Sequence, residues 1–298
     1  MDHYRDLTAI KDKSVKYFIE SLKIEDFLYN KHLIYEFKEN FVSWINSSKN
    51  NHFENLNSFK NVQITNGSVH AFDHFYLKHK NKIFRTAEGE FMYHRGALKH
   101  DYTHASPRPI SIPISILDSS RYPPQNHVFI ISVPFTAYGR IHDKFFEWME
   151  MCEEHKIPVL LDFCHAPVSK NIRINLDDYS CIETLSFSIS KPFYGGENLR
   201  VGIRFQRKNE DDGIDILNSK GIEMLNLVGI GIANQLITHY DFDYNWNTYS
   251  KIYSEICDEL NLTETNNILY AIGGTEYDQY NRSGVNRICL SNEITKRL

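Results

Sequence analysis

Hydrophobic positions along this chain change their period twice, and the changes divide it. Through the first fifty residues Phe18, Leu22, Phe27, Leu33, Tyr35, Phe41 and Trp44 recur at helical spacing. Helices are expected there, ending in the polar loop Asn46-Ser47-Ser48-Lys49-Asn50-Asn51. From about Asn61 the pattern becomes short apolar runs set between helix-length segments. Residues 62–65, 82–85, 128–133, 159–161, 184–187 and 201–205 read as strands. The run Val128-Phe129-Ile130-Ile131-Ser132-Val133 does not alternate, as expected of a strand buried on both faces. One helix is expected to open at Gly67-Ser68 and continue through Ala71, Phe72, Phe75 and Tyr76. Another carries Phe145, Phe146, Trp148, Met149 and Cys152 on or near one face. Helices return at 222–236 and 244–260, followed by short strands at 268–270 and 287–290. The alternation predicts an α/β protein: a three-layer α/β/α large domain with a mostly parallel sheet, and a reduced small domain built from the N- and C-terminal segments. The expected division is a helical arm at 1–50, a large domain at 51–238 and a small domain at 239–298.

Composition narrows the partners. A chain of 298 residues holds one large domain with a smaller companion. The formal net charge of -5 argues against nucleic-acid binding by bulk charge. No apolar run approaches a membrane span, and Met1-Asp2-His3-Tyr4-Arg5-Asp6 lacks the apolar core of a signal peptide. The five cysteines, Cys152, Cys164, Cys181, Cys257 and Cys289, have neither metal-knuckle nor redox spacing and fit reduced thiols. A cytoplasmic protein with no membrane or nucleic-acid partner is expected.

Candidate chemistry gathers at the predicted strand ends. In an open α/β sheet, ligands sit at the carboxyl ends of strands. Gly67-Ser68, Thr136, Asp162 and Lys191 all fall just after such runs. An apolar strand ending in Asp162 is followed by Ser188-Ile189-Ser190-Lys191 and then Arg200-Val201-Gly202. That ordered set is what a protein needs to hold pyridoxal phosphate: an amine for a covalent imine, a carboxylate for the pyridinium proton, and hydroxyls and a guanidinium for the phosphate.

Across roughly residues 60–205, with a patch near Arg287, the chain resembles fold-type I pyridoxal-phosphate enzymes, the aspartate-aminotransferase superfamily. Thr65-Asn66-Gly67-Ser68 looks like the phosphate-cup turn, with Asn66, Gly67 and Ser68 at the cofactor. Glu88-Gly89-Glu90-Phe91-Met92-Tyr93 looks like the segment that lays an aromatic face on the ring. Phe91 is the residue expected there rather than Glu90, because a carboxylate cannot stack. Pro134-Phe135-Thr136-Ala137-Tyr138-Gly139 resembles an Asn-Pro-x-Asn-Pro-x-Gly loop, with Thr136 in the place of an asparagine. Asp162-Phe163-Cys164-His165 fits Asp-x-x-Tyr/His, which puts His165 at the ring 3-oxygen. The resemblance makes Lys191 the Schiff-base lysine and Asp162 the partner of the ring nitrogen. It gives the phosphate to Ser188, Ser190 and Arg200, and the substrate α-carboxylate to Arg287. Only 11 residues follow Arg287, so the small domain is expected to be shortened.

The implied protein is a homodimeric aminotransferase acting on an amino acid and a 2-oxo acid. Lyase, decarboxylase, racemase or oxoamine-synthase-like chemistry on the same cofactor stays open, as does a cofactor-fold scaffold without turnover. His70 and His74 have i, i+4 spacing but no zincin glutamate between them, so they read as helix-surface histidines and no metal is expected. Cys164 reads as a small buried residue.

Overall fold

The continuous apolar runs form the middle of a six-stranded sheet. The computed structural model describes residues 4, 5, 7–97 and 126–298. The sheet order is β2 (Asn61–Thr65), β8 (Gly202–Gln206), β7 (Ile182–Ser188), β5 (Val159–Asp162), β4 (His127–Ser132) and β3 (Ile83–Thr86). Neighbours from β7 to β3 pair in parallel. Strand β8 runs antiparallel to both β7 and β2. The β7–β8 connection carries only the one-turn helix α7 (Gly196–Leu199) and no crossover helix, so the chain turns back on itself. Two three-residue strands missed by the pattern, β1 (His52–Glu54) and β6 (Arg173–Asn175), pair in parallel beside the main sheet.

Layering follows from alternation within the central strands. Val128 and Ile130 of β4 and Leu160 of β5 pack against Phe72, Phe75 and Tyr76 of α4 (Ser68–Lys78). Phe129, Ile131 and Leu161 face the other way, into the core that holds Phe145, Trp148, Met149 and Cys152 of α6 (Phe145–Glu154). Both faces are covered, which is why these strands read as unbroken hydrophobic runs. The three-layer α/β/α domain with a mostly parallel sheet is therefore present.

The N-terminal segment divides between two cores. Helices α1 (Lys13–Ser21), α2 (Glu25–Leu28) and α3 (Leu33–Asn46) join the large core, and Phe37, Phe41 and Trp44 of α3 are buried there. Helix α3 packs on α9 (Leu227–His239). The helix expected at 222–236 is split instead. A short 3-10 turn (Ile222–Met224) precedes α9, whose N-cap Asn226 accepts the Gly229 N–H at 2.9 Å. Helix α8 (Gly213–Ser219) packs by β2.

Residues 4, 5 and 7–10 lie against the small unit. Tyr4 O accepts from Cys289 N at 3.0 Å, and Ile10 is part of the small unit's core. That unit comprises α10 (Tyr244–Glu259), the antiparallel sheet β10 (Asn281–Arg282), β11 (Val285–Cys289) and β9 (Tyr270–Gly273), and α11 (Ser291–Lys296). Helix α5 (Met92–Ala97) follows β3. Among the described residues no helix is long and apolar enough to cross a membrane.

Candidate active site

Register brings the strand ends to one edge. Ser132 pairs with Asp162, Asp162 with Ser186, and Gly202 with both Ser188 and Thr65. A cavity of about 980 Å³ opens there. From the large unit it is lined by Ser68, Phe91, Thr136, Asp162, His165, Ser188, Ser190, Lys191 and Arg200. Arg287 reaches it from the small unit, and Leu7 from the N-terminal segment. Asn66 and Gly67 stand just outside the lining.

At one end of the cavity the chain is shaped for an anion. Gly67 has φ +72, and a Cβ there would sit 2.7 Å from Arg200 Nη2. The turn is therefore the bed on which the Arg200 guanidinium lies, with Nη2 also donating to Asn66 O at 3.4 Å. Helix α4 begins immediately afterwards, and no side chain caps its N-terminus, where the first N–H groups lack partners one turn back. A guanidinium beside a helix N-terminus, with Ser68 in the first turn, suits a phosphate. Ser188 Oγ lies 3.0 Å from Ser190 Oγ and accepts from Ser190 N at 3.2 Å.

Asp162 is buried at the carboxyl end of β5. Its Oδ1 accepts from Cys164 N at 3.0 Å, and its Oδ2 lies 3.4 Å from His94 Nε2. That second distance is long for a hydrogen bond. Burial alone would push this carboxyl up; the His94 imidazole and the Cys164 contacts outweigh it and hold Asp162 below its ordinary value. His94 is fully buried, with Nδ1 2.5 Å from Tyr76 Oη. The sequence reading missed it. Its one signal was its place a turn after Phe91.

Phe91 and Glu90 both line the cavity, and the Glu90 carboxylate is bonded to the end of β4. The Glu90 carboxylate accepts from Phe91 N at 2.7 Å, Ser132 N at 2.9 Å and the Ser132 hydroxyl. Thr136 Oγ1 donates to Ser132 Oγ at 3.1 Å. Burial pushes Glu90 up, against the His94 imidazole and these donors. Neither Glu90 nor Ser132 was expected to take part.

Lys191 Nζ donates to Leu7 O at 3.2 Å. Burial lowers its pKa, with the nearby Arg287 acting the same way and Cys164, Glu197 and Cys289 opposing. Arg287 is almost fully buried, donates from Nη1 to Thr136 O at 2.8 Å, and lies over the Tyr270 ring at 5.0 Å. Thr65 Oγ1, Ser186 Oγ, Glu197 Oε2 and Arg287 Nε are buried without a hydrogen-bond partner. Of these, Glu197 and Arg287 line the cavity, and with a glycine-cradled guanidinium, an amine and a carboxylate they make a polar lining that fits pyridoxal phosphate. Cys164 is buried, as expected, yet also lines the cavity. His70 and His74 have local partners: His70 Nδ1 accepts from Asn66 N at 3.3 Å, and His74 Nδ1 lies 3.4 Å from Asp212 Oδ2.

No protein-family model matches the sequence, and no curated protein is significantly similar to it. Solved structures are similar in three dimensions. An aminotransferase from Staphylococcus aureus superposes with a TM-score of 0.65 at 12% identity, covering 98% of this chain and 90% of its own. L-threonine-O-3-phosphate decarboxylase from Porphyromonas gingivalis gives 0.60 at 14%, over 99% of this chain and 97% of its own. A PLP-bound C-S lyase from Staphylococcus hominis gives 0.60 at 14%, over 99% and 88%. The superpositions span both units and the cavity between them, and on that evidence the chain has the fold of the fold-type I pyridoxal-phosphate enzymes.

Proposed function

We propose that this chain is a pyridoxal-phosphate enzyme that acts on an amino acid, transfers its amino group to a 2-oxo acid, and works as a homodimer. One observation carries the reading. The Lys191 amine, the Asp162 carboxylate and the cluster of Ser68, Ser188, Ser190 and Arg200 all face one cavity. When bound, the cofactor supplies an electron sink for the bonds of a substrate α-carbon.

The chain's own residues divide the remaining work. Ser68, the α4 N-terminus and Arg200 bind the phosphate, and Ser188 and Ser190 add hydroxyls. Phe91 covers a ring face. Asp162, kept ionised by His94 and the Cys164 N–H, holds a proton at the ring nitrogen. Lys191 Nζ, its basicity lowered by burial, takes and returns the α-proton. Arg287 suits a bidentate grip on the α-carboxylate.

Protein mixed with pyridoxal phosphate is expected to gain a visible band. Borohydride should fix that band on the Lys191 peptide, read by mass spectrometry, and Lys191→Ala should abolish it. A protein that stays colourless, or an adduct confined to another lysine, sinks the reading. The decarboxylase and lyase among the similar structures support a second reading, other bond cleavage at the same α-carbon. Amino-group recovery on an added 2-oxo acid separates transfer from loss of carbon dioxide or of a side chain.

A further inference from the structure

His165 and Asn267 are 102 residues apart in sequence and meet at the wall of the cavity. Asn267 is fully buried, three residues before β9. Its neighbours fix which way the amide faces. Asn267 Oδ1 accepts the Leu269 N–H at 3.0 Å. The Nδ2 side therefore points the other way, 2.9 Å from Ser169 Oγ and 3.1 Å from His165 Nδ1. Ser169 spends its own proton on the His165 carbonyl at 2.7 Å, so its oxygen is free to accept from Asn267.

An amide nitrogen has only hydrogens to offer. His165 Nδ1 must then accept, and a neutral imidazole that accepts at Nδ1 keeps its proton on Nε2. Burial, together with the charges of Lys191 and Arg287 and against that of Asp162, pushes His165 down to about 3, so the ring is neutral at working pH.

We propose that Asn267 is a positioning residue: it fixes His165 in the Nε2–H form, so that the ring presents a hydrogen-bond donor to the cavity. A second residue of the cavity lining makes that donor matter. Thr136 commits its single hydroxyl proton to Ser132 at 3.1 Å and to Glu90 at 3.5 Å, so it faces the cavity as an acceptor. His165 is then the member of the pair that can donate to an anionic oxygen. That the oxygen belongs to the cofactor ring rests on the function proposed above; the tautomer does not. Asn267 leads into β9, which pairs with the Arg287 strand β11 at Ile272.

The test uses the full chain labelled with ¹⁵N-histidine, with the His165 signals assigned by their loss in His165→Gln. The expected wild-type spectrum shows Nδ1 unprotonated and Nε2 protonated between about pH 5 and 9. Asn267→Asp replaces the donor by an acceptor and should move a proton onto Nδ1. Asn267→Ala, available if the first variant fails to fold, should let both forms populate. With pyridoxal phosphate bound, Asn267→Ala should also raise the midpoint of the visible band's pH titration by about one unit, the scale of one lost hydrogen bond. A proton on Nδ1 in the wild type overturns the proposal, as does a His165 spectrum unchanged in both variants. A wild type that shows Nε2–H but never takes up the cofactor upholds the tautomer and overturns the proposed function instead.

Discussion

A carboxylate buried as fully as Asp162 keeps its charge only while something nearby favours the charge. The His94 imidazole is the main opponent of burial at this site. Removing the imidazole takes a favourable neighbour from a buried carboxylate, at a cost of about 1–3 kcal/mol. His94→Leu is therefore expected to destabilise the protein at neutral pH. The pH dependence follows from the direction of the shift. Asp162 has its folded pKa below the unfolded 3.8, so its stabilising contribution is full above that value and is lost as pH falls through the folded pKa. In His94→Leu burial is opposed by the Cys164 contacts without the imidazole, and the carboxyl pKa should rise. The gap in thermal midpoint between wild type and variant should then be small near pH 2 and widen as pH rises through the carboxylate range. A gap that is constant with pH would mean that His94 acts only by filling space among Phe72, Tyr76 and Phe91.

At the scale of elements, the join between β2 and α4 is the most constrained. Gly67 combines φ +72 with ψ 173, a backbone region open to glycine and closed to other residues. Gly67→Ala should cost about 1–3 kcal/mol and displace the Arg200 guanidinium, which lies where the new Cβ would go. Weaker cofactor binding, by tenfold or more in a pyridoxal phosphate titration, is the expected result. Undiminished affinity would remove the β2–α4 turn from the phosphate site. The turn was legible in the sequence because Asn-Gly-Ser after an apolar run has a mechanism attached to each residue. The buried strands were legible for a similar reason, since a strand covered on both faces has no polar positions to interrupt it. Direction was not legible: period two is the same in both senses, so the reversal of β8 had to come from the short β7–β8 connection. Nor were His94, Glu90 and Asn267 readable, because each matters through partners in other elements. A histidine on a short helix says nothing until Asp162, distant in sequence, is placed beside it.

Across the whole molecule, residues 4, 5 and 7–14 connect the parts that form the site. Tyr4 O takes the Cys289 N–H of β11, Leu7 O takes the Lys191 amine, and Thr8 O accepts from Ser291 Oγ at the start of α11. Asp12 anchors the far end of this segment. Its carboxylate caps α1 by accepting from Ser14 N at 2.6 Å, and it also accepts from the Tyr244 and Tyr249 hydroxyls of α10. One carboxylate thus joins the N-terminal segment, the first helix of the large unit and the long helix of the small one. Burial raises Asp12, but the hydroxyls and the Ser14 N–H win, and its folded pKa lies below the unfolded value. Its contribution is therefore complete above the ordinary carboxylate pKa and is lost as pH falls through the lowered one. Asp12→Ala removes both the cap and the acceptor for two phenols, so it should lower the thermal midpoint at pH 7 and matter little near pH 2. Faster amide hydrogen exchange should appear at residues 7–12 and in the Lys191 loop together, because the Leu7 carbonyl links them. Exchange that quickens only in α1 would show that Asp12 is a helix cap and nothing more.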